Sequence, residues 1–275
     1  MRGVIGLDVG GANTKAVWRD GERRRAVSRP YEVWRDREGL AGVVREVVAA
    51  VAEEPPELVA LTTTAVLSDA FRTKREGVGV VLDAVEAAIG ERVRLLVFTT
   101  AGELVSLAAA RARPVEVAAA NWVASGLAVG ALHPDALMID VGSTTADVIP
   151  IAGGRVAAAG RTDLDRLLAG ELVYTGLLRS NLATIAARVP VRGAWCPVAS
   201  ELFAISADVH LVLGHIGPDA YTCPTPDGRP ATVAAARERV ARLVCSDVEQ
   251  LGPGEIDAIA AHLHGEPGER VHGSC

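Results

Sequence analysis

The sequence carries one short pattern twice. Ile5-Gly6-Leu7-Asp8-Val9-Gly10-Gly11-Ala12-Asn13-Thr14 is echoed by Met138-Ile139-Asp140-Val141-Gly142-Ser143-Thr144-Thr145-Ala146-Asp147. Each copy is an apolar run of strand character, an Asp-Val-Gly turn rich in small hydroxyl or amide residues, and a run that resumes as a strand. A strand–turn–strand made once per half predicts an α/β chain of two related domains, 1–133 and 134–275, facing one another across a central cleft.

The segments between the copies support alternation of strands and helices. Helical spacing runs from Asp36 to Glu53 through Leu40, Val43, Val44 and Val47, and Pro55-Pro56 stops it. Leu58–Leu61 and Val93–Phe98 read as strands around a helix over Gly77–Ile89, and a further helix over Ala118–Leu132 ends before Pro134. Asp20-Gly21 is a hairpin signal. Helices over Ala231–Glu249 and Glu255–His264 close the chain, and Gly265–Cys275 reads as a frayed polar tail. The C-terminal helices are expected to pack back on the first domain.

Charge narrows the partners. Of 28 basic residues only Lys15 and Lys74 are lysine, and 34 acidic residues bring the net charge to −6 with no basic stripe. Phosphate-backbone binding needs clustered cations, so nucleic acid is not an expected partner. The longest uncharged stretch, Val117–Pro134, is broken by Asn121, Ser125, Gly126 and Gly130 and reads as a buried helix, so no membrane partner is expected. Cys196, Cys223, Cys245 and Cys275 are widely spaced, as reduced thiols are, and no secretory leader precedes the first strand. A cytoplasmic location is the expectation, and a homo-oligomer is left open.

The turns suggest phosphate chemistry. Glycine lets backbone N–H groups approach phosphate oxygens closely, and Ser or Thr hydroxyls add donors. A carboxylate in such a turn cannot meet phosphate directly; it acts through a cation such as Mg²⁺, or as a base. Asp8 and Asp140 are therefore candidate metal ligands and catalytic groups. Lys15 supplies a positive charge, and Gly10, Gly11, Asn13, Thr14, Gly142, Ser143, Thr144 and Thr145 form a candidate diphosphate cradle. No GxxxxGK[ST], GxGxxG or GxSxG string is present to offer a competing motif.

The two turns, with the small-residue stretch Asn121-Trp-Val-Ala-Ser-Gly-Leu-Ala-Val-Gly130 between them, resemble the phosphate-one, phosphate-two and connecting-helix motifs of the actin, sugar-kinase and Hsp70 superfamily. That implies a two-domain actin-like ATPase (ribonuclease H-like) fold with a central phosphate-binding cleft. Longer strings resemble the hydantoinase/oxoprolinase-related family of tetrahydromethanopterin-linked one-carbon metabolism: Thr62–Gly77, Thr162–Gly176 continuing to Asn181, Pro197–Ala204, Ala207–His210 and Thr225–Pro230. Its methanofuran-biosynthesis branch implies a transferase that joins an aminomethylfuran diphosphate to a γ-glutamyltyramine-type acceptor and releases pyrophosphate, aided by Mg²⁺. An ATP-dependent small-molecule kinase or hydrolase, and a scaffold without turnover, are the rival readings.

Within those strings the resemblance points to Asp69, Lys74, Thr175, Asn181 and Glu201 as substrate contacts. Glu171, Asp208 and His210 join them, because a carboxylate can hold an amine or deprotonate a phenol; helix capping or a buried salt bridge is the alternative. His210 and His215, five apart in an apolar run, read as packed rings rather than a metal pair. Asp163 and Asp165 after Thr162 resemble a helix cap. Trp18, Trp34, Trp122 and Trp195 are expected in the core, although Trp195 could equally line a pocket.

Overall fold

A computed structural model describes residues 3–67 and 70–272, with the side chains of 67 and 266–272 excepted. The chain forms two compact units, 1–136 with 150–166, and 137–149 with 167–275. The sequence placed one cut at 133/134; this division instead returns 150–166 to the first unit. Among the described residues no helix is long and apolar enough to cross a membrane.

The first unit is built on a six-stranded sheet. Its strands are β1 (Val4–Val9), β2 (Asn13–Asp20), β3 (Arg23–Pro30), β4 (Leu58–Thr63), β5 (Arg94–Phe98) and β6 (Leu104–Ser106), in the order β3-β2-β1-β4-β5-β6. β1 alternates strictly: Ile5, Leu7 and Val9 are buried on one face, Val4, Gly6 and Asp8 lie on the other. Helices α1 (Leu40–Val51) and α2 (Lys74–Ile89) cover the apolar face. α1 buries Leu40, Val44, Val47 and Val51, the stripe that 3.6-residue periodicity creates. α2 starts where Thr73 Oγ1 accepts the Glu76 N–H and the Glu76 carboxylate accepts the Arg72 N–H.

Three expectations need correction here. The hairpin signal at Asp20-Gly21 is borne out, but no range was given for its second strand, β3: an Arg-rich sequence hides a regular antiparallel pairing of Asn13–Asp20 with Arg23–Pro30 across a turn at Gly21, φ +59°. Charged residues suit such an exposed edge. The helix expected over 118–132 is shorter, because Ala118 bridges to Thr63 and Ala119 takes φ +55°. Two short helices, α3 (Leu107–Ala112) and α4 (Pro114–Val117), precede α5 (Asn121–Gly130). Trp18 is only half-buried, with Arg23 and Arg25 against its ring.

After α5 come β7 (Ala136–Val141), β8 (Ala146–Ala152), β9 (Arg155–Val156) and α6 (Asp163–Leu168). Thr162 and Asp165 cap α6 reciprocally, as their spacing predicts. The second unit continues with β10 (Leu172–Val173), the hairpin β11 (Arg188–Val191) and β12 (Ala194–Pro197), and helices α7 (Ser206–Val212), α8 (Val233–Arg242) and α9 (Pro253–His272). α8 is shorter than the 231–249 expected, and α9 continues to His272, into the stretch read as a frayed tail. Leu211, Val240, Ile256, Ile259 and Leu263 belong to the core of this unit. Trp195 is not in it: the side chain is exposed, edge-on to His262.

A buried ion pair sits in that core. Asp208, on α7, is 0% exposed and accepts from Ile205 N–H at 3.0 Å, Tyr221 Oη at 3.0 Å and Arg239 Nε at 2.9 Å. Arg239 extends to Asp227, which also takes Arg242 and Arg229. Burial pushes the Asp208 carboxyl up, opposed by the hydrogen bonds from Arg239 and Ile205. Asp208 is therefore a core cross-link, out of reach of a substrate, and the family-like string ending in Asp227-Gly-Arg229-Pro230 serves the same network. Removing one member of a buried pair leaves the other charge uncompensated. Asp208→Leu should cost about 3–5 kcal/mol in urea unfolding, and Asp208→Leu with Arg239→Met should recover most of it. Equal losses in the two proteins would refute the cross-link.

Candidate active site

Strand alternation sets Asp8 on the open face of the first sheet, opposite Ile5, Leu7 and Val9. Directly paired with it are Lys15 on β2 and Thr62 on β4, which share that face. Lys15 Nζ lies 3.7 Å from Asp8 Oδ2. Asp8 Oδ1 and Thr62 Oγ1 are both buried without a hydrogen-bond partner. Burial holds the Asp8 carboxyl above its ordinary range, and the Lys15 charge opposes that shift. Buried polar atoms are normally satisfied, so these two oxygens on adjacent strands are suited to a cation or a donor group.

The turn that follows has a defined shape. Gly10 N–H donates to Asn13 C=O at 2.9 Å, and a Cβ at Gly10 would stand 2.8 Å from that oxygen. Gly11 has open space around it and Asn13 is exposed. Thr14 departs from its expected role. Its side chain is fully buried on the core face, so only its backbone is at the turn.

In the second unit the same turn recurs: Gly142 N–H donates to Thr145 C=O at 2.8 Å. Asp140 is exposed at the end of β7, and Ser143 Oγ lies 3.4 Å from Thr144 Oγ1. Seven residues after Asp140 stands Asp147, where the first unit has Lys15. A buttress not foreseen from the sequence holds this turn. Leu177 N–H donates to Gly142 C=O, and the Leu178 and Arg179 N–H groups both donate to Ser143 C=O, at 2.9–3.1 Å. Gly176 presses on the turn so closely that a Cβ would meet Thr144 N at 2.5 Å.

The other candidates divide. Thr175 is buried and lines an apolar cavity of about 770 Å³ in the second unit, beside Gly176, Ser180 and His210. Lys74 is ion-paired with Asp163 at 2.7 Å in the first unit. Asn181 caps a short 3₁₀ turn through Ala183 N–H, Glu171 is buried next to β10, and Glu201 is exposed. Asp69 lies outside the described residues.

Three comparisons bear on this arrangement. The profile of the hydantoinase/oxoprolinase family matches residues 57–265. The (4-{4-[2-(gamma-L-glutamylamino)ethyl]phenoxymethyl}furan-2-yl)methanamine synthase of Methanocaldococcus jannaschii is 34% identical over 262 residues, 95% of this chain and 77% of that protein. The synthase of the same name from Methanococcus vannielii is 40% identical over 133 residues, 48% of this chain and 60% of that one. Among solved structures, nucleotide-free acetone carboxylase aligns with a TM-score of 0.54 at 11% identity, over 96% of this chain and 61% of that one. The last likeness concerns fold alone, and the fold is the actin-like ATPase type that the resemblance of the two turns and the helix between them implied.

Two predictions follow from this geometry. A carboxyl whose folded pKa is raised costs the native state stability as pH rises from its ordinary value of 3.8 through the folded value. Ligand-free Asp8→Asn should therefore melt above the parent protein at pH 7, with the difference vanishing at pH 3 and below; a lower melting temperature at pH 7 would refute the strain. Gly176→Ala should lose about 1–3 kcal/mol by overpacking against the second turn. Gly11→Ala, with nothing within 4 Å, should stay within about 1 kcal/mol in denaturant titration.

Proposed function

Because the chain belongs to the hydantoinase/oxoprolinase family, we propose that it is a synthase of methanofuran-type biosynthesis, joining an aminomethylfuran diphosphate to the phenol of a γ-glutamyltyramine-type acceptor. The observation that carries this reading is the likeness over 95% of the chain to a synthase named for a phenoxymethyl-furan product. The furfuryl C–O bond to the diphosphate breaks, and pyrophosphate leaves with the electron pair. A new C–O bond forms between the same methylene carbon and the phenol oxygen, and the phenol proton is released. No ATP enters, since the diphosphate already carries the activation.

The residues of the two turns divide the work. Backbone N–H groups around Gly10, Gly11 and Asn13, and around Gly142, Ser143, Thr144 and Thr145, donate to diphosphate oxygens. Lys15 offsets charge that builds on the departing group. Asp8 and Asp140 are assigned to Mg²⁺. The donor set at Asp8 fits that ion: its free Oδ1 and the Thr62 hydroxyl are hard oxygens, the kind magnesium takes alongside water. When bound, Mg²⁺ supplies charge neutralisation on the phosphate oxygens. Thr175 and the apolar cavity it lines are suited to an aromatic ring.

Purified protein with aminomethylfuran diphosphate, γ-glutamyltyramine and Mg²⁺ should release pyrophosphate and yield the coupled ether by mass spectrometry, with or without ATP. Asp8→Asn and Asp140→Asn should each lower turnover at least about 10²-fold. ATP hydrolysis or a phosphorylated acceptor, with the furan diphosphate untouched, would assign the chain to the kinases instead.

A further inference from the structure

Three histidine rings meet in the second unit, at the wall of the apolar cavity. His210 comes from α7, His215 from the turn after it and His264 from α9. That turn is built to fold back: Gly214 adopts φ +73°, and His215 N–H donates to His210 C=O at 2.8 Å. The His215 ring is thereby returned to His210, and their Nδ1 atoms lie 3.3 Å apart. His264 closes the group, its ring centroid 4.5 Å from that of His215 and 5.3 Å from that of His210. One ring nitrogen of each residue lies within 4.8 Å of the other two.

Packing alone accounts poorly for this group. Imidazoles so close repel once protonated, and among the described residues no carboxylate pairs with any of them. Burial, reinforced by the other two rings, lowers His210 to about 4, and burial lowers His264 as well. An imidazole coordinates a metal ion through a ring nitrogen lone pair. Nitrogens bound tetrahedrally to a zinc-type ion at 2.0–2.1 Å stand about 3.3–3.4 Å apart. The His210–His215 pair already has that separation.

We propose that His210, His215 and His264 bind one divalent transition-metal ion of the zinc class. Three imidazole ligands select such an ion over magnesium, which prefers oxygen donors. Its fourth position is left to an exchangeable ligand, as in three-histidine sites generally. Because His210 and His264 also line the cavity, that ligand is an oxygen donor carried on an apolar or aromatic body, a phenol being the simplest case. The three-histidine site rests on its own geometry, uses neither of the two turns, and shares the apolar cavity with the proposed function.

The test uses the whole chain stripped of metal by a chelator. Co²⁺ should bind with one equivalent per chain, giving the intense visible bands of a four-coordinate ion, and Zn²⁺ should bleach them. His215→Ala and His264→Ala, both at exposed positions, should each weaken Co²⁺ binding at least about tenfold, the loss expected when even a supporting partner of a ligand is removed. Their melting temperatures without metal should match the parent's. Adding p-cresol should shift the bands. Absence of the bands, or their survival in the His215→Ala/His264→Ala double variant, where His133, His210, His262 and His272 remain, overturns the site. Bands indifferent to saturating p-cresol overturn the open position.

Discussion

At the end of β1 the backbone has to reverse within four residues and still leave N–H groups pointing outward. A glycine whose amide closes onto the carbonyl three residues later meets both needs. The chain makes that closure at Gly10–Asn13 and again at Gly142–Thr145. Everything else near the turns is arranged around it. Pairing of β1 with β2 fixes Lys15 opposite Asp8, and parallel pairing with β4 fixes Thr62 on the other side. A one-residue slip in either pairing would send these groups into the core and Leu7 into solvent. The core residues that prevent the slip, Ile5, Leu7 and Val9, thus determine the site without touching it.

The second turn has a different support. Its carbonyls at Gly142 and Ser143 are consumed by the N–H groups of Leu177, Leu178 and Arg179. With the Gly142 N–H closing the turn, that leaves the N–H groups of Ser143 and Thr144, rather than the turn's carbonyls, for a ligand, which is the polarity an anion needs. The string around Gly176 resembles its family for a mechanical reason: only glycine allows the loop to lie on the Thr144 backbone at that distance. The string around Asp227 has another mechanical reason, the arginine network centred on Arg239. Long family-like strings in this chain thus mix residues that meet a ligand with residues that hold the scaffold.

Much of this was legible in the sequence where a pattern has a period. An apolar run revealed β1, helical spacing revealed α1 and the core of α2, and the repeated Asp-Val-Gly revealed both turns. What escaped depends on contacts distant in sequence. Thr62 matters only because β4 pairs with β1, and His264 joins His210 and His215 only because α9 packs beside α7. Asp208 stayed open between a substrate contact and a buried salt bridge, since nothing local announces Arg239, thirty-one residues on. β3 was masked by its arginines, which lie on an edge where charge is welcome. The return of 150–166 to the first unit follows from tertiary packing that no local composition shift marks.

Two buried carboxylates show how the scaffold and the site can be told apart. Burial raises both Asp8 and Asp208 above the ordinary carboxylate range, and in both an adjacent cation opposes it. The difference lies in what each oxygen meets. Asp208 has partners on both oxygens, from Ile205, Tyr221 and Arg239, so its desolvation is answered inside the fold. Asp8 has Lys15 on one side and nothing on Oδ1, next to a threonine hydroxyl in the same condition. A fold selected only for stability would fill that gap with an apolar side chain or a second donor. A fold selected to take a charged ligand has to leave it open, since a donor already engaged would have to be broken free before the ligand could bind.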